Sequence, residues 1–312
     1  MTIAARTDPL IAERAPWLFS DRPGTRHVRA LLNMLLAYNR TLDLGETLSP
    51  LPMPEIMARL AGLIAQDVTV RGLAHIPTEG PALIVANHPT GIADGIILHH
   101  LIARRRNDSF IMANADILRV LPQMADLILP VEWRTEKRCY AKTRATMHGL
   151  HRALDAGRIG VIFPSGRLAK RHGLRLEERP WMGSAAMIAR RFELPVIPVH
   201  ICARNSALFY AFDALHPSLR DITLFYETLN KARQPFRINI GAAIAPSALP
   251  ADGPSAIEML RARTLALGGR ERTHGFSLLR ASRPSLAKVG PKLSPDTPHC
   301  RLNTFLCNGH DQ

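Results

Sequence analysis

A histidine and an aspartate within Pro81–Gly95 have the residue types and the spacing needed for proton transfer. His88 follows Ala82–Ala86, an apolar run with the length of a buried strand, and Asp94 comes just before a helical pattern. A carboxylate at a helix start can face a histidine at a strand end across a tight turn. It would hold one imidazole nitrogen and leave the other to accept a proton from an alcohol. The alternative is a loop histidine followed by an aspartate that only caps the helix.

The segment from His88 to Asp94 resembles the histidine–aspartate block of the glycerolipid acyltransferases, the lysophosphatidic acid acyltransferase family. Four later segments follow in that family's order and approximate spacing, so that the resemblance covers about residues 60–245. They resemble its Phe-Pro-x-Gly block, its Gly-Ala segment, its Val-Pro-x-x-Pro-Val strand, and the Leu-Asn-Lys to Ile-Gly segment of its haemolysin-like and ornithine-lipid branch. The four segments are Gly160–Arg167, Trp181–Ala186, Leu194–His200 and Glu227–Gly241.

The resemblance implies direct acyl transfer in which His88 is the general base and Asp94 orients its imidazole. An acceptor hydroxyl would attack the carbonyl of an acyl thioester, with acyl-CoA or acyl-carrier protein as the donor and with no cofactor or metal. Backbone N–H groups near Gly166, or in the turn after His88, are expected to stabilise the oxyanion. The residues expected to bind substrate are Asn87, Thr90, Gly91, Phe163, Pro164, Ser165, Gly166 and Arg167.

The spacing of the histidine–aspartate block departs from the family's pattern. His88 and Asp94 have five residues between them, one more than is usual in the family. Gly91 can absorb the extra residue because glycine reaches positive φ without steric cost.

The Phe-Pro block departs from the family's Phe-Pro-Glu-Gly-Thr-Arg in three places. Ser165 replaces the glutamate, Arg167 replaces the threonine, and Leu168 stands where the phosphate-binding arginine is expected. The leading acceptor is 1-acyl-sn-glycerol-3-phosphate, with Arg167 displaced by one residue to hold its head group. The alternative acceptor is lyso-ornithine lipid or another lyso-aminolipid, and a second alternative is a non-catalytic lipid-binding protein of the same fold.

The charge of the chain indicates a polyanionic partner, since its formal net charge is +14. Aromatic residues make up only 5%, and no nucleic-acid-binding motif is present, so an anionic membrane is favoured over nucleic acid. Arg22, Arg26 and Arg29 precede the apolar Leu31–Tyr38, which is typical of an interfacial anchor helix. The alternative is that this helix packs its apolar face on the domain.

The chain is predicted to attach peripherally to the cytoplasmic face of the cell membrane. No stretch reaches 18 uncharged apolar residues, and Met1–Pro9 has no apolar core of signal-peptide length. Four scattered cysteines do not make a disulfide framework and indicate a reducing compartment.

Alternating strand and helix patterns predict an α/β fold, a single domain with a mixed, largely parallel sheet flanked by helices. We expect a basic N-terminal arm with an amphipathic helix in residues 1–50, the acyltransferase domain in 51–268, and a disordered basic tail in 269–312. Because His88 and Ser165–Arg167 both follow strands, they are expected to line one crevice at the strand ends.

Two other chemistries fit the residues less well. Ser165 lacks a nucleophile elbow, because Phe163 and Arg167 occupy the positions of its two glycines. His99 and His100 are adjacent on a predicted helix and cannot converge on one metal ion. The spacing of His299, Cys300, Cys307 and His310 matches no common zinc site.

Overall fold

The computed structural model describes residues 1–132, 139–269 and 276–278. The strands of these residues are β1 (Val68–Arg71), β2 (Ala82–Ala86), β3 (Phe110–Ala113), β4 (Ile128–Pro130), β5 (Ile159–Ile162), β6 (Lys170–His172), β7 (Arg175–Glu177), β8 (Val196–Cys202), β9 (Phe236–Ile240) and β10 (Phe276–Ser277). The helices are α1 (Ile3–Arg14), α2 (Thr25–Leu35), α3 (Tyr38–Leu48), α4 (Met53–Ile64), α5 (Ile92–Ile102), α6 (Asp116–Val120), α7 (Tyr140–Asp155), α8 (Ser184–Arg191), α9 (Ala207–Leu215), α10 (Pro217–Leu229) and α11 (Gly253–Ala266).

A seven-stranded sheet in the order β1-β9-β8-β2-β5-β3-β4 carries the site. The five strands from β8 to β4 run parallel to one another, whereas β9 is antiparallel to β8 and β1 is parallel to β9. Every residue of β2, β5 and β8 is buried, as their near-continuous apolar sequences require when helices cover both faces of a sheet. The predicted mixed, largely parallel sheet is confirmed.

Two hydrophobic clusters cover the faces of this sheet. One contains apolar residues of α4 and α5, such as Ile56 and Leu101. The other contains residues of α7, α8 and α11, such as Leu150, Ala185 and Leu260. A separate three-stranded sheet in the order β10-β7-β6 includes the hairpin that follows the Phe-Pro block.

The N-terminal segment differs in detail from the predicted arm with one amphipathic helix. It forms α1, α2 and α3, and the chain turns between the last two at Ala37, which has a φ of 48°. Ile3 and Leu10 of α1 lie in the protein interior. A periodic apolar pattern such as Leu31–Tyr38 does not encode this break, because alanine carries no turn signal.

The predicted disordered tail lies outside the described residues except for Gly269 and residues 276–278, of which Phe276–Ser277 pairs with β7. His299, Cys300, Cys307 and His310 also lie outside them. Within the described ranges, no helix combines the length and the apolar character that crossing a bilayer demands.

Candidate active site

The two sequence motifs meet at the carboxyl ends of β2 and β5. These strands are parallel neighbours, with Val85 opposite Ile162, so the residues that follow them emerge at the same edge of the sheet. The His88 imidazole stacks on the Phe163 ring, with centroids 4.2 Å apart and planes inclined by 27°. The two motifs that were expected to share one edge of the sheet are therefore in contact there.

His88 and Asp94 are in contact across the turn. The distance between His88 Nδ1 and Asp94 Oδ2 is 3.0 Å, and their side chains are 19% and 0% exposed. The two atoms are close enough for an ion pair but are not aligned as a hydrogen bond. Catalytic hydrogen bonds commonly align only when substrate binds. Because the contact involves Nδ1, Nε2 is the nitrogen left to handle a proton.

Asp94 also organises the turn itself. Its Oδ2 accepts the N–H of Thr90 at 2.8 Å and the N–H of Gly91 at 3.0 Å, and its Oδ1 accepts the Thr90 hydroxyl at 2.5 Å. The carboxylate caps the start of α5 and contacts the imidazole at the same time. The two alternatives for Asp94, cap and histidine partner, are therefore both present in one side chain.

Gly91 accommodates the extra residue of the turn. It adopts φ 93° and ψ −126°, a conformation that residues with a Cβ atom reach only with strain. A Cβ built at this position would lie 3.2 Å from Leu168 Cδ2 and 3.4 Å from Leu224 Cδ2. The predicted conformational role of this glycine is therefore confirmed.

Asn87 faces the sheet and not the crevice. Its side chain donates to the Ile201 carbonyl at 2.8 Å and accepts the Ile201 N–H at 2.7 Å, and the residue is buried. Asn87 thus ties the end of β2 to β8, and its expected contact with substrate stays a prediction. Thr90 is equally buried, and its hydroxyl is engaged by Asp94.

The Phe-Pro block forms a tight turn beside His88. Gly166 has a φ of 60°, and its N–H donates to the Phe163 carbonyl at 2.9 Å. Phe163, Pro164 and Ser165 are buried, whereas Arg167 is exposed. The N–H groups of Gly166, Thr90 and Gly91 are hydrogen-bonded within the protein, and the expected oxyanion donors near Gly166 and in the turn after His88 stay a prediction.

Glu178 is a site residue that sequence reasoning missed. Its carboxyl group accepts the backbone N–H of His88 at 3.2 Å and the indole N–H of Trp181 at 3.0 Å. Burial raises the pKa of the Glu178 carboxyl group. No local signal points to this residue, because it follows β7 and lies outside every motif.

Arg179 is a second residue that the sequence did not single out. Its Nε–H donates to the Leu168 carbonyl at 2.9 Å, at the position where the family's arginine is absent. Burial and the positive charges of Arg167 and Arg220 lower the pKa of Arg179. Three guanidinium groups are therefore near enough to influence one another on this side of the crevice.

Lys231, in the segment that resembles the ornithine-lipid branch, is completely buried. Its ammonium group donates to Glu227 at 2.7 Å, to Asn205 Oδ1 at 2.6 Å and to the Arg204 carbonyl at 3.1 Å. This network joins the end of α10 to the loop after β8. In the part of the chain that the structure describes, no three His, Cys, Asp or Glu side chains come together as metal ligands.

Comparison with known proteins gives a family and several relatives. Residues 67–202 match the family described as Acyltransferase. The lyso-glycine lipid O-acyltransferase of Phocaeicola vulgatus is 25% identical over 187 residues, which cover 57% of this chain and 64% of that protein. The lyso-glycine lipid O-acyltransferase of Bacteroides thetaiotaomicron is 26% identical over 147 residues, which cover 46% of this chain and 51% of that protein.

This chain thus spans less than two thirds of the length of either relative. A crystal structure of the 1-acyl-sn-glycerophosphate acyltransferase from Thermotoga maritima superposes with a TM-score of 0.46 at 14% identity. The superposition covers 78% of this chain and 96% of that one.

Proposed function

We propose that this chain, whose residues 67–202 match the Acyltransferase family, transfers a fatty acyl group from an acyl thioester to a lysolipid hydroxyl. The observation that carries this proposal is the contact between His88 Nδ1 and the buried Asp94 carboxylate. It leaves His88 Nε2 at the strand-end crevice as a general base, with a partner that stabilises the imidazolium ion.

The proposed reaction is a direct transfer. His88 Nε2 removes the proton of the acceptor hydroxyl while that oxygen attacks the thioester carbonyl carbon. The tetrahedral intermediate collapses with cleavage of the C–S bond, and the imidazolium returns the proton to the departing thiolate. Asp94 holds the imidazole tautomer and stabilises its cation, and a general base of this kind contributes about 10²–10⁴-fold to rate.

For the acceptor, we favour a lyso-aminolipid with a carboxylate in its head group. Leu168 stands where the family's phosphate-binding arginine is expected, and two of the relatives are lyso-glycine lipid O-acyltransferases. The second candidate is 1-acyl-sn-glycerol-3-phosphate, which Arg167 and Arg179 favour because guanidinium groups bind phosphate as well as carboxylate. Acyl-CoA and acyl-carrier protein are both acidic donors, which suits a chain with a net charge of +14.

A thiol-release assay tests this proposal. The purified full chain is mixed with acyl-CoA or acyl-carrier protein and with lyso-glycine lipid, lyso-ornithine lipid or 1-acyl-sn-glycerol-3-phosphate. We expect free thiol to appear only when a lysolipid is present, together with the diacylated product by mass spectrometry. Binding of lysolipid without thiol release from either donor would contradict the proposal and favour the non-catalytic alternative.

We also propose that α2 attaches the protein peripherally to the cytoplasmic face of the membrane. Leu32 and Leu36 pack in a buried cluster with Ile222 of α10, whereas Leu31 and Met34 are 57% and 74% exposed. Val28 and Leu35 extend the exposed apolar face, and Arg22 and Arg26 lie exposed beside it. An apolar face flanked by cations suits an anionic lipid surface, where each cation contributes about 1 kcal/mol. The cytoplasmic side follows from the proposed donors.

Vesicle sedimentation tests this attachment. We expect binding to vesicles that contain anionic lipid, weaker binding at high salt, and a further loss in the double variant Leu31→Glu/Met34→Glu. Tyr140→Glu is the control, because Tyr140 is 82% exposed at the start of α7. An equal loss in the control, or binding that is insensitive to salt, would rule out this face as the attachment surface.

A further inference from the structure

The backbone N–H and the backbone carbonyl of His88 are both hydrogen-bonded to residues at the ends of the β6–β7 hairpin. The His88 N–H donates to Glu178 Oε2 at 3.2 Å, and the His88 carbonyl accepts the Ala169 N–H at 2.9 Å. Ala169 precedes β6 and Glu178 follows β7, so the two ends of this hairpin fix the peptide that carries the imidazole.

Glu178 holds this position although burial opposes it. The residue is buried, and a carboxyl group removed from water loses solvation that only hydrogen bonds and charges replace. The donors that face it are the His88 N–H and the Trp181 indole N–H, whereas the nearby Ser165 hydroxyl donates to the Arg167 carbonyl at 2.8 Å. A buried carboxyl group beside a reacting histidine is more often functional than one elsewhere in a core.

Glu178 also lies where the Phe-Pro block lacks a carboxylate. Ser165 stands at the glutamate position of that block, and it lies near enough to the Glu178 carboxyl group to lower the pKa of that group. A glutamate side chain at position 165 would therefore extend into the space that the Glu178 side chain occupies.

We propose that Glu178 is a positioning residue for acyl transfer, which fixes the His88 peptide and supplies from the hairpin the carboxylate absent at Ser165. It acts through His88 and does not touch the reacting atoms, and the inference rests on the acyltransferase function proposed above. Its effect is to keep the imidazole stacked on Phe163 and within reach of Asp94.

The first test compares Glu178→Gln with Glu177→Gln, a control carboxylate one residue earlier that is partly exposed and lies 3.8 Å from His172. The amide at 178 keeps the volume but places an N–H group against one of the two N–H donors. We expect kcat to fall roughly 10- to 100-fold, as for a misplaced catalytic group, with KM within about twofold. The melting temperatures of the two variants should be similar. A kcat within threefold of wild type, or a loss confined to KM, would overturn the proposal.

The second test moves the carboxylate back to the Phe-Pro block. Ser165→Glu alone crowds two carboxyl groups into one buried site and should lower kcat. In Ser165→Glu/Glu178→Gln the new carboxylate can meet the same donors, and we expect kcat at least tenfold above the product of the single effects. If the effects of the two substitutions on kcat simply multiply, the proposal is contradicted. If Glu178→Gln alone does not fold, a double variant that folds but is inactive would contradict it as well.

A third measurement does not depend on catalytic activity. Diethyl pyrocarbonate modification of His88, followed by peptide mass spectrometry, reports how firmly the imidazole is held. We expect a several-fold faster rate in Glu178→Gln than in wild type or Glu177→Gln, with His151 as an exposed internal reference. Unchanged His88 reactivity would refute the positioning role whether or not the wild type transfers acyl groups. Wild type without thiol release would refute only the proposed function.

Discussion

The imidazole of His88 and the phenyl ring of Phe163 lie stacked at 4.2 Å, although 74 residues separate them in sequence. The contact arises because β2 and β5 are parallel neighbours whose carboxyl ends reach the same level. The ring of Phe163 excludes water from one face of the imidazole. The contacts of His88 with Asp94, Glu178 and Ala169 are polar.

Replacing His88 removes the proposed base. We expect His88→Ala to lower kcat by about 10²–10⁴-fold while the melting temperature stays near that of wild type, because the side chain is partly exposed. Thiol release and a thermal melt are the measurements. Retention of more than a tenth of wild-type turnover would exclude His88 as the base.

Replacing Asp94 should affect both stability and rate. The amide of Asp94→Asn cannot accept all of the donors from Thr90 and Gly91, so we expect a loss of about 1–3 kcal/mol in unfolding free energy. The disturbed imidazole tautomer should lower kcat by about 10²–10⁴-fold. Loss of stability with near-normal turnover would show that Asp94 acts only as a cap.

Gly91→Ala tests the strained turn. An alanine at φ 93° costs of the order of 1–3 kcal/mol, and its Cβ would crowd Leu168. We expect a lower melting temperature and lower kcat, since the turn presents two N–H groups to Asp94. Gly80→Ala is the matched control, because Gly80 also has a positive φ, 77°, but no atom lies within 4 Å of the place where a Cβ would be. Equal effects in both variants would argue against a special role for position 91.

Arg167→Ala and Arg179→Ala test recognition of the head group. Loss of a charge-assisted hydrogen bond of about 1.5–3 kcal/mol corresponds to roughly a 10- to 100-fold fall in kcat/KM. The measurement is kcat/KM with a lyso-aminolipid and with 1-acyl-sn-glycerol-3-phosphate, and we expect it to fall for the acceptor that the protein prefers. The control variant Arg190→Ala on α8 should leave kcat/KM nearly unchanged. If neither variant changes kcat/KM for either acceptor, these guanidinium groups do not bind the head group.

His99 predicts a dependence of stability on pH. Burial lowers the pKa of His99 from 6.5 to about 4, so the folded protein keeps it neutral while the unfolded chain takes up a proton. Unfolding free energy should therefore fall as the pH decreases from 6.5 to 4, by about 3 kcal/mol at most for this residue. Denaturant titrations of wild type and His99→Gln measure this, and the exposed His151→Gln is the control. If the unfolding free energy of wild type and of His99→Gln changes with pH in the same way, His99 is not the source of this pH dependence.

The sequence predicted the parts of the site that depend on neighbouring strands and local turns. Buried apolar runs predicted β2 and β5, and the glycine in the turn predicted the unusual backbone at Gly91. Glu178 was not predictable, because a hairpin brings it to His88 from 90 residues away. Arg179 follows it and reaches the Leu168 carbonyl through the same hairpin. The hydrogen bonds of Asn87 to Ile201 were not predictable either, because β8 lies more than 100 residues further along the chain.

Helix α2 packs some of its apolar residues inside the protein and exposes others, and this arrangement bears on how the protein would be oriented at a lipid surface. Its inward residues share a buried cluster with Ile222, and two residues further along α10 the side chain of Leu224 borders the turn at Gly91. A single rigid helix thus joins the exposed apolar face to the turn that carries His88 and Asp94. In the proposed attachment, the angle at which this turn meets the lipid layer would be set by the fold and would not depend on a flexible tether.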